Sequence, residues 1–435
     1  MLHKTFCSSP WFHIRLTFNG DYEPCRWARR LGATENIRQT TIMQYYNSSE
    51  MKSLRLKMLA GETPDECKTC YYEESFGKLN GRQRQLAKSA IRLDDFARSL
   101  RSSPHFEMFD YSMNNLGVSP YYPTDLQIDL GNTCNNACIM CHPKFSSRLE
   151  KDYIKLQAAD SQMFAFQPYQ SWTRDPDIVE RFVEQISTIP EIRYIHFLGG
   201  ETLFDETFYQ LTERLAALGL AERIIIGATT NGTIYSDRLA SVIDSFQEVH
   251  LGISIESVTE LNDYVRYPSS ITQVLSNIQK FLDYRKQNSK LKLQLRITPN
   301  IFSIYELDQI FDYMVENQIS AESCNILFEP AYLRMELVPP DIRQECVEKF
   351  DRLIARHKFV HQEVINVRRE DLVNQVIANL AIEYQNFLQS YQEPDDAESS
   401  RFQLVEFLKH FESIRKNSIL DYAPRYEKFL RNYGY

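Results

Sequence analysis

The stretch Leu130-Gly-Asn-Thr-Cys-Asn-Asn-Ala-Cys-Ile-Met-Cys-His142 places Cys134, Cys138 and Cys141 directly after a short apolar run, Leu126–Leu130. The spacing is C-x3-C-x2-C, with no fourth cysteine close by. Thiolates hold iron–sulfur clusters, and a cubane ordinarily takes four of them. Three ligands on one loop would leave one iron open to a small molecule. A tight loop running into a helix also turns backbone N–H groups toward anionic sulfur, which stabilises that charge. The same cysteines fit a partial zinc site, or thiols packed as small apolar groups. The sequence downstream has to decide.

From Asp125 to about Pro330, apolar β-type runs alternate with helical patterns. The strands expected are Leu126–Leu130, Tyr194–Leu198, Arg223–Thr229, Val249–Ile255, Lys292–Thr298 and Asn325–Phe328. Their near-continuous Ile, Leu, Val and Phe content suggests parallel strands buried on both faces. Between them Ile178, Phe182, Ile186 and Ile189, then Val274, Ile278, Phe281 and Leu282, recur at helical spacing. Six such units predict an α/β fold, a partial (β/α)6 parallel barrel with right-handed crossovers. Ligands in such folds collect at the carboxyl ends of the strands, where the three cysteines fall.

Further motifs sit at successive strand ends. Gly199-Gly200-Glu201 follows the second strand; glycines there let backbone approach a ligand closely, and exposed carbonyls with a carboxylate suit a cationic amino group. Thr229-Thr-Asn-Gly-Thr233, with Asn231 at its centre, follows the third and reads equally as a plain turn. Ser254 and Glu256 share a parity at the end of the fourth and face one side. Arg266 could fork onto a carboxylate or form a surface ion pair. Arg296, Thr298 and Asn300 share a parity on the fifth.

In that order, C-x3-C-x2-C, Gly-Gly-Glu, Thr-Asn-Gly and Ser-x-Glu resemble the radical S-adenosylmethionine superfamily over roughly residues 125–330. The resemblance implies a site-differentiated 4Fe-4S cluster on Cys134, Cys138 and Cys141, its open iron chelated by S-adenosylmethionine. It gives the cofactor's amino group to Gly199, Gly200 and Glu201. It assigns the carboxylate or ribose to Ser254 and Glu256, carboxylate binding to Arg266, and a further cofactor contact to Asn231. The residue before the third cysteine is often aromatic in that family; here it is Met140, whose thioether can pack against adenine. The implied chemistry is reductive cleavage to a 5′-deoxyadenosyl radical that abstracts a substrate hydrogen, with an electron donor of flavodoxin or ferredoxin type.

Cys7, Cys25, Cys67 and Cys70 make a second set, C-x12-G-x4-C followed by C-x2-C. It resembles the auxiliary-cluster modules called SPASM and twitch, here placed ahead of the barrel; Glu73, Gly77 and Arg82 follow the last pair as in the group with an N-terminal twitch module. The resemblance implies a second iron–sulfur cluster; structural zinc is the alternative, since spacing alone does not separate the two. Cys324, expected to start the sixth strand, and Cys346, on an outer helix, read as packed thiols.

The domains expected are a cysteine-bearing module over 1–100, a Pro/Ser/Asn-rich linker over 101–124, the barrel over 125–330, and a helical region over 331–435. That last region (Asp341–Arg356, Glu370–Tyr391, Arg401–Lys416) carries no evident chemistry. The net charge of −9 argues against a dominant nucleic-acid surface, although residues 1–110 hold 17 Lys and Arg against 13 Asp and Glu. No apolar run reaches the ~18 residues that span a bilayer, and no signal peptide is evident, so a cytoplasmic, non-membrane protein is expected. Nine cysteines then read as metal or redox ligands. The leading function is oxidative modification of a peptide or protein side chain. A small metabolite or nucleotide sugar is the alternative substrate, and a non-catalytic iron–sulfur or zinc protein, or an RNA-modifying enzyme, the alternative class.

Overall fold

The computed structural model describes residues 5–28, 35–75, 80–92, 95–167, 170–361 and 372–435. One sheet organises them. Its strands are β1 (His13–Leu16), β2 (Tyr22–Glu23), β3 (Asp125–Asp129), β4 (Tyr194–Leu198), β5 (Ile225–Thr230), β6 (Glu248–Ser254), β7 (Leu291–Ile297) and β8 (Ser320–Cys324). The spatial order is β2-β1-β3-β4-β5-β6-β7-β8. Strands β3 to β8 form the expected six-stranded parallel series, and β1 extends it in parallel while β2 turns back antiparallel on β1. The N-terminal region therefore adds strands to the barrel's own sheet.

Helices Pro176–Ser187, Glu206–Ala217, Asp237–Ser245, Ile271–Gln287 and Leu307–Asn317 form the crossovers. Side chains cap the first four: Asp175, Asp205, Ser236 and Ser270 each accept a first-turn N–H, satisfying donors a helix start leaves open. Their apolar stripes (Ile178, Phe182 and Ile186; Val274, Ile278 and Phe281) cover one face of the sheet.

The other face differs from the expectation of strands buried on both sides. On β7, Leu291, Leu293, Leu295 and Ile297 are buried while Lys292, Gln294 and Arg296 are half-buried. On β6 Val249, Leu251 and Ile253 are buried, whereas Glu248, His250 and Ser254 are half-buried. Only the helix-covered face carries the apolar core. The inner face is polar, which makes a lumen available to a ligand.

Two further expectations are corrected. The sixth strand is Ser320–Cys324, and Asn325–Phe328 runs on as irregular chain. Cys324 thus ends its strand at the carboxyl edge, so its placement at the opposite edge falls. Residues 101–124 also hold a helix, Phe106–Asn114, whose Met108 and Phe109 pack with Phe6, Trp11 and Phe96 in a small second core. Its long apolar side chains outweigh the Ser, Asn and Pro that flank them.

At the carboxyl side, helices Pro340–His357, Leu372–Ser390 and Ala397–Arg415 close the molecule. Tyr384 donates to the Asn325 carbonyl at 3.1 Å, tying them to the chain after β8. Among the described residues no helix is long and apolar enough to cross a membrane.

Candidate active site and second cysteine site

The segment after β3 follows an irregular path that neighbouring loops hold in place. Ala137 N–H donates to the Tyr267 carbonyl at 2.6 Å and Ile139 N–H to that of Val265 at 2.9 Å. Ser146 Oγ donates to Asn136 O at 2.5 Å, and Cys134 N–H to Ser147 Oγ at 3.3 Å. The three cysteines alternate with buried Asn136, Ala137 and Ile139, so the sulfurs lie on the less buried side. Asn136 N–H reaches Cys134 Sγ at 3.4 Å. Burial pushes all three thiols up, Cys141 to about 12, and charge on Cys138 pushes Cys134 and Cys141 up further. Three thiols that oppose one another's ionisation favour a strongly cationic guest.

The strand-end motifs surround this loop. A Cβ on Gly200 would stand 2.4 Å from the Thr133 carbonyl oxygen, and Glu201 N–H donates to that oxygen at 2.8 Å. The close approach expected toward a ligand is thus made at Gly200 to the cysteine loop itself; Gly199 has ordinary clearance of 3.4 Å. Glu201 is fully buried and accepts from Leu203 N–H at 3.0 Å, Thr230 Oγ1 at 2.5 Å and Asn231 N–H at 2.5 Å. A carboxylate has about four lone-pair sites, so one acceptor direction remains. Burial raises its pKa to about 7, against the lowering by those bonds. Asn231 in turn donates to Asn135 Oδ1 at 2.7 Å, binding the β5 end to the cysteine segment. Gly232 takes φ +74° beyond it, a conformation side chains disfavour.

Glu256 and Arg266 meet. Arg266 Nε donates to Glu256 Oε2, Thr298 N–H donates to Oε1 at 3.2 Å, and the arginine's Nη1 stands 3.9 Å from Cys138 Sγ. Burial alone would lower the arginine, but the carboxylate and the neighbouring thiols hold its charge. Ser254 lies half-buried on the inner face, in register with Arg296. Met140 is half-buried against the core.

Arg415 corrects the expectation that the C-terminal helices bring no chemistry. Its Nη2 donates to Ala137 O at 2.6 Å and to Asp152 at 3.1 Å, and its charge opposes burial in setting the Cys138 thiol. The sequence carries no sign of this contact, which spans 278 positions.

The sheet also joins Thr229 and Arg296 to two residues the motifs do not mark, Tyr194 and His196. Tyr194 Oη and His196 Nδ1 are 2.9 Å apart, His196 Nε2 and Thr229 Oγ1 3.0 Å, and Arg296 Nη1 donates to Thr229 Oγ1 at 2.6 Å. This hydrogen-bonded line crosses the inner face from β4 through β5 to β7.

It leads to the N-terminal cysteines. Cys7, Cys25, Cys67 and Cys70 line one cavity of about 220 Å³ together with Gln127, Tyr194, His196 and Arg296 from the barrel strands. Burial raises all four thiols, Cys7 to about 12, and Cys25 raises the other three. Among the described residues no three Cys, His, Asp or Glu side chains converge on a position that would hold one metal ion. Four thiols on one cavity are the donor set that an iron–sulfur cluster takes. Arg26, Arg82, Arg84 and Arg296 share this lining with Glu73, a cationic balance suited to an anionic cluster with four thiolates. Arg82 is buried and donates to Glu74 at 2.7 Å and Phe6 O at 2.8 Å. Gly77 lies outside the described residues.

Comparison with known proteins agrees with both halves. The family model described as the radical SAM superfamily matches residues 128–293, and the model described as an iron–sulfur cluster-binding domain matches residues 7–71. Among solved structures, SuiB of Streptococcus suis bound to S-adenosylmethionine is 13% identical, with a TM-score of 0.36, over 82% of this chain and 71% of that one. The same protein bound to its precursor peptide SuiA is 14% identical, with a TM-score of 0.37, over 81% and 70%. The enzyme anSMEcpe with bound S-adenosylmethionine and a peptide is 17% identical, with a TM-score of 0.38, over 53% of this chain and 59% of that one. No curated protein matches the chain in sequence.

Proposed function

We propose that this chain, which belongs to the radical S-adenosylmethionine superfamily and carries an iron–sulfur cluster-binding module ahead of its barrel, oxidatively modifies a peptide or protein side chain held in its polar lumen. A 4Fe-4S cluster, a further iron–sulfur cluster and S-adenosylmethionine are its cofactors. When bound, they supply reductive cleavage to a 5′-deoxyadenosyl radical that removes a substrate hydrogen atom.

The protein's part is positioning. Cys134, Cys138 and Cys141 would hold the first cluster, and Cys7, Cys25, Cys67 and Cys70 the second. Gly199, Gly200, Glu201 and Asn231 brace the first loop and leave one carboxylate direction for the cofactor's amino group. Ser254 faces the lumen where a carboxylate or ribose would lie, with the Glu256–Arg266 pair against the loop and Met140 within it. The inner-face hydroxyls, amides and imidazole of Thr229, Gln127, Asn325 and His196 suit the amide groups of a peptide segment.

The observation that carries the oxidative reading is the shared cavity. Four thiols of one module and four side chains from the barrel strands line the same space, so a substrate in the lumen borders the second cysteine site. A one-electron acceptor there fits an outcome in which the substrate would give up one hydrogen atom to the radical, then one electron to that acceptor and one proton to solvent. A reducing compartment such as the cytoplasm would suit a chain whose cysteines serve as cluster ligands.

The test is anaerobic reconstitution followed by iron analysis and product assay. About eight irons per chain falling to about four in a Cys7/Cys25/Cys67/Cys70→Ala variant would support two cubanes. Formation of 5′-deoxyadenosine with a peptide lighter by two hydrogens would support the reaction. A fully loaded protein that never cleaves S-adenosylmethionine would sink it.

A further inference from the structure

We infer that the exposed face of the Ser147–Leu156 helix is the docking surface for an acidic, flavodoxin-type electron-donor protein, an inference that rests on the radical reading above. Arg148, Lys151 and Lys155 are exposed at positions i, i+3 and i+7 of this helix and form one stripe about 10 Å long. Lys144 extends it toward the cysteine segment, its ammonium 4.9 Å from the Phe145 ring centroid. Ile154, 56% exposed, adds an apolar contact beside the cations.

Of the helix's two carboxylates Asp152 is paired with a cation, while Glu150 keeps its charge but is half-buried and turned to an amide, so three exposed cations stand against one carboxylate. Glu150 accepts from Asn132 Nδ2 at 2.9 Å, and Asp152 accepts from Arg415 at 3.1 Å. No described residue pairs with Lys151 or Lys155 by hydrogen bond or ion pair. On a chain whose net charge is −9, a helix face with a surplus of cations is a local exception. Opposite charge steers encounter and fixes orientation more than it adds affinity, which suits a partner that must arrive, react and leave.

Position supplies the second argument. The first turn of this helix touches the cysteine segment directly: Cys134 N–H donates to Ser147 Oγ at 3.3 Å, and Arg148 Nη1 reaches Asn135 O at 3.5 Å. A donor seated on the stripe lies against the loop that holds the radical centre. It is oxidised by one electron as that centre is reduced by one, and no group is transferred.

The experiment compares the reconstituted protein with its K151E/K155E variant, using a purified acidic flavodoxin as the probe. Binding is measured calorimetrically at low and high salt, and 5′-deoxyadenosine formation is driven either by the reduced flavodoxin or by dithionite. The expected result is a dissociation constant raised about tenfold or more in the variant at low salt, with a salt dependence that the variant largely loses. Dithionite-driven turnover stays at the wild-type rate. Equal flavodoxin affinity in both proteins, or affinity indifferent to salt, overturns the assignment. So does a stripe that binds single-stranded RNA but not flavodoxin. Absence of dithionite-driven product in the wild type refutes the radical reading itself, and the calorimetry still judges the surface.

Discussion

Replacing Arg266 by glutamine removes the cation between a buried carboxylate and a cysteine of the loop. Glu256 has no exposed side-chain surface and Arg266 only 13%. Without the guanidinium, Glu256 keeps the Thr298 N–H at 3.2 Å as its donor. Breaking one side of such a pair costs about 3–5 kcal/mol, because the remaining charge stays buried without compensation. That is about a hundred- to several-thousand-fold in the folding equilibrium. Changing Glu256 to glutamine in the same chain removes the orphaned charge and is expected to restore most of the loss.

The second arm of Arg266 gives an independent magnitude. At 3.9 Å from Cys138 Sγ, a unit charge contributes about 1 kcal/mol in water-like surroundings and about 4 kcal/mol at an effective dielectric of about 20. For a one-electron couple these correspond to roughly 50 and 180 mV. The centre on the loop is therefore expected to become harder to reduce by an amount within that span. Urea unfolding measures the first effect, and an EPR-monitored potentiometric titration of the reconstituted protein the second. A stability loss under about 1 kcal/mol together with an unchanged potential would refute the argument, since neither pairing would then act as the geometry requires.

Glu201→Gln tests the pH dependence. The folded pKa of about 7 lies above the ordinary 4.5, so the native state binds the extra proton between those values. Wild-type stability therefore falls as pH rises through that window, by about 3 kcal/mol in all at about 1.4 kcal/mol per unit; the variant lacks this slope, and parallel urea-unfolding curves from pH 5 to 8 would contradict it. Gly200→Ala forces a Cβ to within 2.4 Å of backbone oxygen. It is expected to cost about 1–3 kcal/mol and to lower iron content, whereas Gly199→Ala, with 3.4 Å of clearance, is tolerated. Arg415→Met strips Ala137 O and Asp152 of a buried donor, which should cost about 1.5–3 kcal/mol. A chelator should then withdraw iron faster from the loop site than from the N-terminal site; equal rates would place Arg415 outside the cluster loop's support.

The cysteine loop and the strand-end motifs were legible because a parallel strand is a compact apolar run, and the polar or glycine residues that follow it mark its carboxyl end. Tyr194–Leu198 was read at both ends for that reason. The sixth strand was not, since Ser320-Ala-Glu-Ser-Cys324 is mostly polar while the apolar Asn325-Ile-Leu-Phe328 follows it outside the sheet. Burial of Ile326 and Leu327 without strand pairing defeats a reading based on hydrophobic runs. The polar inner face was hidden similarly. Ile, Leu and Val on the helix side dominate each run, and the intervening His196, Thr229 and Arg296 gain meaning only when the sheet curves and brings them together. Arg415 was beyond reach, since its partners lie far away in sequence.

The joining of the two cysteine sites follows from the sheet rather than from a linker. Strand β1 pairs with β3 from His13–Asp125 to Leu16–Ile128, so the chain between Cys7 and Cys25 is held in register with the strand that leads to Cys134. Arg15 secures that edge, donating to Asp129 Oδ2 at 3.1 Å through Nε and to Glu23 at 2.9 Å. Burial lowers the arginine's proton affinity, but both carboxylates outweigh it and keep its charge. A module on a flexible tether would let the second site drift relative to the loop. Continuous strand pairing instead ties the chain between Cys7 and Cys25 to the strand that leads to Cys134, an arrangement that suits the proposed transfer of a hydrogen atom one way and an electron the other.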